Sequence, residues 1–181
     1  MAGALNVPAY NTDNLSFGPG IVYIGASGTT PATDVGLVAS GAQLQVTGSN
    51  IDVRAGSPQV LVKRFRQVSD VTFSFTSQEW NYENLRRALG AGTTTSTTYD
   101  YGADPLYTEF AIQFVHRMPS GTTQYLRLWS VVPDGELTIN FGDDLAEFPQ
   151  AFTCLAVSAD WAGNTLSGGY KYFRVKKIVH P

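Results

Sequence analysis

The sequence predicts a mainly β domain: an antiparallel β-sandwich or barrel with one flanking α-helix and a long β-hairpin arm. Three observations carry that expectation. Short runs alternate apolar and polar between turn residues, as in Val71, Phe73 and Phe75 against Thr72, Ser74 and Thr76, the mark of a strand with one buried face. A single stretch, 81–90, has helical periodicity with signals at both ends. One pair of strand-like runs, 43–54 and 59–76 around Ala55-Gly56-Ser57-Pro58, is far longer than its neighbours.

In chain order, residues 1–16 are polar and without period and read as an extended N-terminal arm, ordered only when a partner holds it. Residues 17–181 read as one domain. Phe17-Gly18-Pro19-Gly20 gives way to a short strand over 21–25, and 33–38 reads as a turn leading into another strand. The hairpin follows. Its base alternates cleanly, whereas its distal part mixes Val60, Leu61 and Val62 with Lys63, Arg64, Phe65 and Arg66. Such a ribbon finds little cover within one domain, so the turn-proximal half is expected to reach a neighbour. The cations Lys63, Arg64 and Arg66 fit either an edge protected by charge or a surface that meets acidic residues of a neighbour.

Asn81 is positioned to cap the helix by accepting from a first-turn amide. Trp80 and Leu85 have the spacing of a hydrophobic staple, and Tyr82, Leu85, Ala88 and Leu89 form an apolar stripe. Arg86 and Arg87 suit the helix C-terminus, and Gly90 supplies the left-handed residue beyond it. After a Thr/Ser run and a loop over 99–105, strands are expected at 108–117 and 123–132. Pro133-Asp134-Gly135 signals a hairpin into a strand carrying Leu137, Ile139 and Phe141, and further strands are expected at 150–158 and 170–179. About eight to ten strands in hairpins make an antiparallel all-β core.

Composition narrows function. Only 15% of the 181 residues are charged, against about a quarter in an ordinary soluble domain; with 43% hydrophobic residues, this points to surface made for other chains. A net charge of −3 argues against a general nucleic-acid binder, which works by neutralising phosphates. The N-terminal residues lack the pattern of a secretory signal, and no stretch approaches about 18 consecutive apolar residues, so no membrane insertion is expected. The one cysteine, Cys154, excludes an internal disulfide, reads as a small buried hydrophobe, and fits a reducing cytoplasm.

No catalytic, metal-binding or cofactor-binding constellation is expected. His116 and His180 have no ligand-spaced companions, and Asp143-Asp144 lies in a turn with no converging carboxylate. Gly18-Pro19-Gly20 and Gly168-Gly169 lack the context of a phosphate loop. The chain reads as a non-enzyme with no cofactor.

The succession of Gly18-Pro19-Gly20 with Ile21 to Gly25, Asp34-Val35-Gly36, the long hairpin, and Asn81-Tyr82-Glu83-Asn84-Leu85 opening the helix resembles the major tail tube protein of long-tailed bacteriophages, most strongly over 17–92. The cap departs slightly, with Asn81 where such proteins often carry threonine. The resemblance implies homohexameric rings that stack into a hollow tube, in the virion tail and assembled in the host cytoplasm, as a conduit for DNA ejection. The implied partners are further copies of the chain, the tail tip or baseplate, the tape measure and terminator proteins, and double-stranded DNA in transient passage. Ala55, Gly56, Ser57, Pro58, Lys63, Arg64 and Arg66 are then candidates for contacts between subunits or rings, with the two termini adding inter-ring contacts. Because DNA must slide without sticking, a neutral or acidic lumen is expected, with Glu109, Gln113, Glu136 and Thr138 as lumen-facing candidates. Two rival readings stand beside this one. One is the inner tube of a contractile injection or secretion machine. The other is a virion decoration or carbohydrate-binding β-sandwich, in which Trp129, Trp161, Tyr170 and Tyr172 would stack on sugars.

Overall fold

The computed structural model describes residues 20–39, 41–102, 106–118, 121–139 and 147–178. The expectations for the N-terminal arm, Phe141, Asp143-Asp144 and His180 fall outside them.

Among the described residues ten strands and one helix follow in the order β1 (Ile21–Ala26), β2 (Thr33–Asp34), β3 (Gln43–Ala55), β4 (Val60–Ser77), α1 (Tyr82–Leu89), β5 (Thr93–Thr94), β6 (Tyr99–Asp100), β7 (Phe110–Arg117), β8 (Thr123–Pro133), β9 (Phe148–Cys154) and β10 (Phe173–Ile178). Every pairing between them is antiparallel: eight form one sheet in the order β2-β1-β7-β8-β9-β4-β3, with β10 also on β8, and β5 pairs β6 apart from it. The mainly β, antiparallel, one-helix class is therefore the one the sequence predicts.

Strand β8 is the fold's hinge line. One edge pairs with β7 from Thr123 to Val131, while the other is divided: residues 123–128 take β10 and residues 131–133 take β9. The sheet consequently bends at β8 and folds back around one core. Among the described residues its two ends meet where Val38 bridges Ser77, with Ala39 donating to the Thr76 carbonyl at 2.8 Å and Gln78 to the Leu37 carbonyl at 2.9 Å. The fold is sandwich-like and does not close into a barrel.

Inward-facing residues of alternating strands fill the space between the layers. Val22, Ile24, Phe73, Phe75, Ile112, Leu128, Val131 and Phe152 are all buried there. Phe75 stacks on Phe152 at 6.0 Å, and Phe73 lies 6.2 Å from Phe114. Aromatic pairs of this kind add specificity to apolar burial.

Helix α1 forms where the sequence signals place it. The Glu83 amide donates to Asn81 Oδ1 at 2.8 Å, and Gly90 sits at φ +69 with its amide on the Arg86 carbonyl. Gly90 also abuts Pro133 and Tyr107, so a Cβ would collide there as well as strain the backbone. Leu85 and Ala88 face inward. Trp80 meets Phe148 edge-on at 5.2 Å, which ties the helix entry to β9.

The hairpin expected at Pro133-Asp134-Gly135 does not form. Among the described residues, 134–139 pair with no strand. Both edges of β8 near Pro133 are already taken, by Phe110 of β7 and Phe152 of β9, so a returning strand has nowhere to bond. The Asp134 amide extends the β8–β9 ladder by one bond to the Ala151 carbonyl at 3.0 Å. Gly135, at φ +73, then turns the chain.

Candidate assembly surfaces

The arm is a continuation of strands whose bases belong to the core. At the base, Leu44 stands opposite Phe73 and Gln43 opposite Ser74; further out the same ladder runs to Ala55 opposite Val60. Two irregularities, at Ser49/Asn50 and Val53/Arg54, divide it. Between them the register is unbroken and sorts the side chains. Ile51 faces Phe65 and Val53 faces Lys63 on one side; Asn50 faces Arg66 and Asp52 faces Arg64 on the other.

Both sides are in solvent. Residues 45–66 are exposed throughout, with Ile51 at 48%, Phe65 at 47% and Val62 at 61%. The candidate contact residues Ala55, Gly56, Ser57, Pro58, Lys63, Arg64 and Arg66 all lie on this exposed ribbon, with Gly56 at φ +92 in the tip.

The cationic cluster is not three equivalent charges. Arg64 grips Asp52 with two bonds, Nε to Oδ1 at 2.6 Å and Nη2 to Oδ2 at 2.9 Å. That hydrogen bond holds the Asp52 carboxyl below its ordinary value and raises Arg64. Lys63 places its ammonium 4.7 Å from the centre of the Phe65 ring. On the charged side Arg64 is paired with Asp52; on the other, Lys63 lies over Phe65 while Ile51 and Val53 stay exposed. An isolated two-stranded ribbon is marginal in water, and a contiguous exposed apolar strip marks an interaction surface.

The four lumen candidates do not share a face. Glu136 and Thr138 lie where the chain crosses the outer side of the β3-β4-β9 layer and line a cleft of about 450 Å³ with Gln43, Ser74, Thr76 and Ala151. Registers place Gln45, Thr72 and Thr153 on the same side, and Asp70 beyond them. Asp134 joins through the Thr153 hydroxyl, which donates to its Oδ1 at 2.7 Å. This face therefore carries hydroxyls, amides and the carboxylates Asp70, Asp134 and Glu136. Asp70 and Asp134 were not among the sequence candidates, because only the register shows that they fall beside Thr72 and Thr153.

Gln113 belongs to the other layer, opposite Tyr23 and Arg127 on the outer side of β1-β7-β8. Glu109 stands before β7, where the Ser130 hydroxyl donates to its Oε2 at 2.8 Å and the Ser27 hydroxyl approaches at 3.3 Å. Alternation within one strand could not part these from Glu136 and Thr138, since it says nothing about which layer a strand joins.

The described residues contain no group of His, Cys, Asp or Glu able to hold a metal, and no helix long and apolar enough to cross a membrane. Cys154 is buried, and burial with the nearby Asp134 charge pushes its thiol up to about 12. His116 is buried and stacks on Phe114 with an interplanar angle of 4°. The four aromatics do not make a sugar platform: Trp129 is buried, Trp161 meets it edge-on at 5.0 Å, and Tyr172 packs on the core. Tyr170 is exposed.

The most telling residue missed in the sequence is Asn84. It is buried in α1, and its Nδ2 donates to the Val35 carbonyl at 3.0 Å while its Oδ1 accepts from Arg87 at 3.1 Å. Its place beside Leu85 and four residues before Ala88 puts it on the helix's inner face, a signal that the polar side chain obscures.

The chain matches no known protein family and no curated protein.

Proposed function

We propose that this chain is the structural subunit of a bacteriophage tail tube, closing into hexameric rings that stack into a conduit for DNA. The observation that carries the reading is the arm. A ribbon whose residues 45–66 are all exposed, with Ile51, Val53 and Phe65 along one side, needs cover that the described residues do not give it. A second copy supplies such cover without a further component, and a contact that repeats head to tail gives a ring when its rotation closes. The resemblance over 17–92 supports the same assembly.

The outer face of β3-β4-β9 suits the lumen. Hydroxyls and amides offer DNA no fixed countercharge, and Asp70, Asp134 and Glu136 repel phosphates. Glu136 and Thr138 keep their place in this reading; Gln113 and Glu109 leave it.

The test is negative-stain microscopy of the concentrated protein, with size-exclusion chromatography on the same sample. Hollow tubes, or rings with a central hole, are expected. A monomer at every concentration, even after addition of tail-tip complexes as initiators, overturns the assembly. Tubes carrying Glu136→Lys are expected to assemble normally and to slow DNA passage; unchanged ejection from them removes the repulsive lumen.

A further inference from the structure

The outer side of the β1-β7-β8-β10 layer differs in charge from the face just described. Registers align Arg117 with Thr123, Arg127 with both Gln113 and Arg174, and Lys176 with Tyr125. Arg117, Arg127, Arg174 and Lys176 therefore share one face, and no carboxylate among the described residues forms an ion pair with any of them. We propose that this face docks an extended acidic polypeptide segment of a partner protein. The inference stands on the face itself and does not depend on the tube reading.

Its centre is the pair Arg127 and Arg174, directly opposite across β8 and β10. Like charges opposed in this way destabilise a sheet, and a carboxylate set between them reverses the sign of the interaction. Both guanidinium groups are already oriented. Arg174 lies 5.2 Å over the Trp129 ring and Arg127 lies 5.5 Å over the Trp161 ring. Stacking fixes a guanidinium plane and leaves its N–H edge for bidentate recognition of a carboxylate, so little freedom remains to be lost on binding. Arg127 Nε is buried with no hydrogen-bond partner.

Asp160 and Glu109 make their hydrogen bonds elsewhere, and Asp160 forms no ion pair with Arg174 although it lies within its electrostatic reach. Asp160 accepts from the Ala162 and Asn164 amides at 3.0 and 2.9 Å in its own turn. Glu109 is held by the Ser27 and Ser130 hydroxyls.

Beside the cations lies a cleft of about 500 Å³, lined by Ile21, Tyr23, Val115, Arg117 and Tyr125. It can seat an apolar side chain next to the acidic run. The structure thus describes a partner with clustered Asp or Glu and a neighbouring hydrophobe.

A nucleic acid fits less well. The chain is net negative at −3, and a long phosphate backbone would extend past this patch within the Debye length of about 8 Å at physiological salt. A short acidic segment meets the patch alone.

The experiment uses the full chain and a fluorescein-labelled poly-glutamate peptide, read by anisotropy at low and physiological salt, with tryptophan emission followed in parallel. Binding is expected, together with a shift in emission, because Trp129 and Trp161 touch the two arginines. The exposed double reversal Arg174→Glu/Lys176→Glu is expected to weaken binding by about tenfold or more, and the milder Arg117→Gln by less. Lys63→Glu/Arg66→Glu, on the arm, serves as a charge-matched control and is expected to leave affinity unchanged. The proposal is overturned if the peptide does not bind, if the arm reversal weakens binding as much as the face reversal, or if duplex DNA binds the same face more tightly than the peptide.

Discussion

Strand β4 is one strand in two environments. From Val71 to Phe75 its inward residues are almost wholly buried, between β9 on one edge and β3 on the other. From Val60 to Arg66 it has only β3 for company among the described residues, and Val60, Leu61, Val62 and Phe65 stand in solvent. The residue types are similar: phenylalanine and valine appear in both halves. What differs is the number of layers. At the base the other layer of the folded sheet lies across the apolar side; along the arm none of the described residues does. Hydrophobic residues in a strand show that a face must be covered, and not by what.

The largest expected effect tests the buried half. Phe73→Ala removes a fully enclosed ring that contacts Phe75 at 5.9 Å and Phe114 at 6.2 Å, and is expected to cost about 3–5 kcal/mol in urea unfolding of the chain. Phe65→Ala on the arm should change that stability by no more than about 0.5 kcal/mol while abolishing rings or tubes. Equal losses from the two substitutions would mean that the arm is part of the folded body, and the contrast between the halves would fail.

A smaller loss is expected in the tie between helix and body. Asn84→Ala leaves the Val35 carbonyl without its donor, at a cost of about 1–3 kcal/mol. A chemical denaturation curve that superimposes on the parent's would show that the helix docks by its apolar stripe alone.

The smallest effect is electrostatic. The Thr94 hydroxyl, 2.5 Å from Glu83 Oε1, and then Arg86 hold the Glu83 carboxyl below its ordinary value. The folded chain therefore binds this proton less readily than the unfolded chain. Its contribution is complete above the unfolded value of about 4.3 and is lost as pH falls through the lower folded value. Glu83→Gln should flatten that acid limb when unfolding midpoints are plotted against pH, and leave the dependence near neutrality as it was. An acid limb of unchanged slope would remove Glu83 from the account.

Much of this fold is legible in short stretches because its causes are local. Asn81 and Gly90 end the helix through bonds that reach only a few residues. The turn at Gly56 and the alternation around Phe73 likewise depend on neighbours in the chain. The failure at Pro133-Asp134-Gly135 has a different origin. Those residues favour a hairpin, but a hairpin needs a free edge, and β7 and β9 had already claimed both edges of β8. The lumen candidates divided for a related reason. Glu136 and Gln113 each lie on the outward side of a polar-apolar alternation, and outward means opposite things in two layers packed face to face.

The sequence by itself determined the antiparallel β class, the capped helix and the long hairpin, since each follows from residue type and spacing within one segment. Only the tertiary structure decided that Arg127 stands against Arg174, that Asp70 and Asp134 join Glu136, and that Asn84 holds Val35. Those pairings join residues far apart in the chain, and their register is set by how the whole core packs, a quantity no single stretch contains.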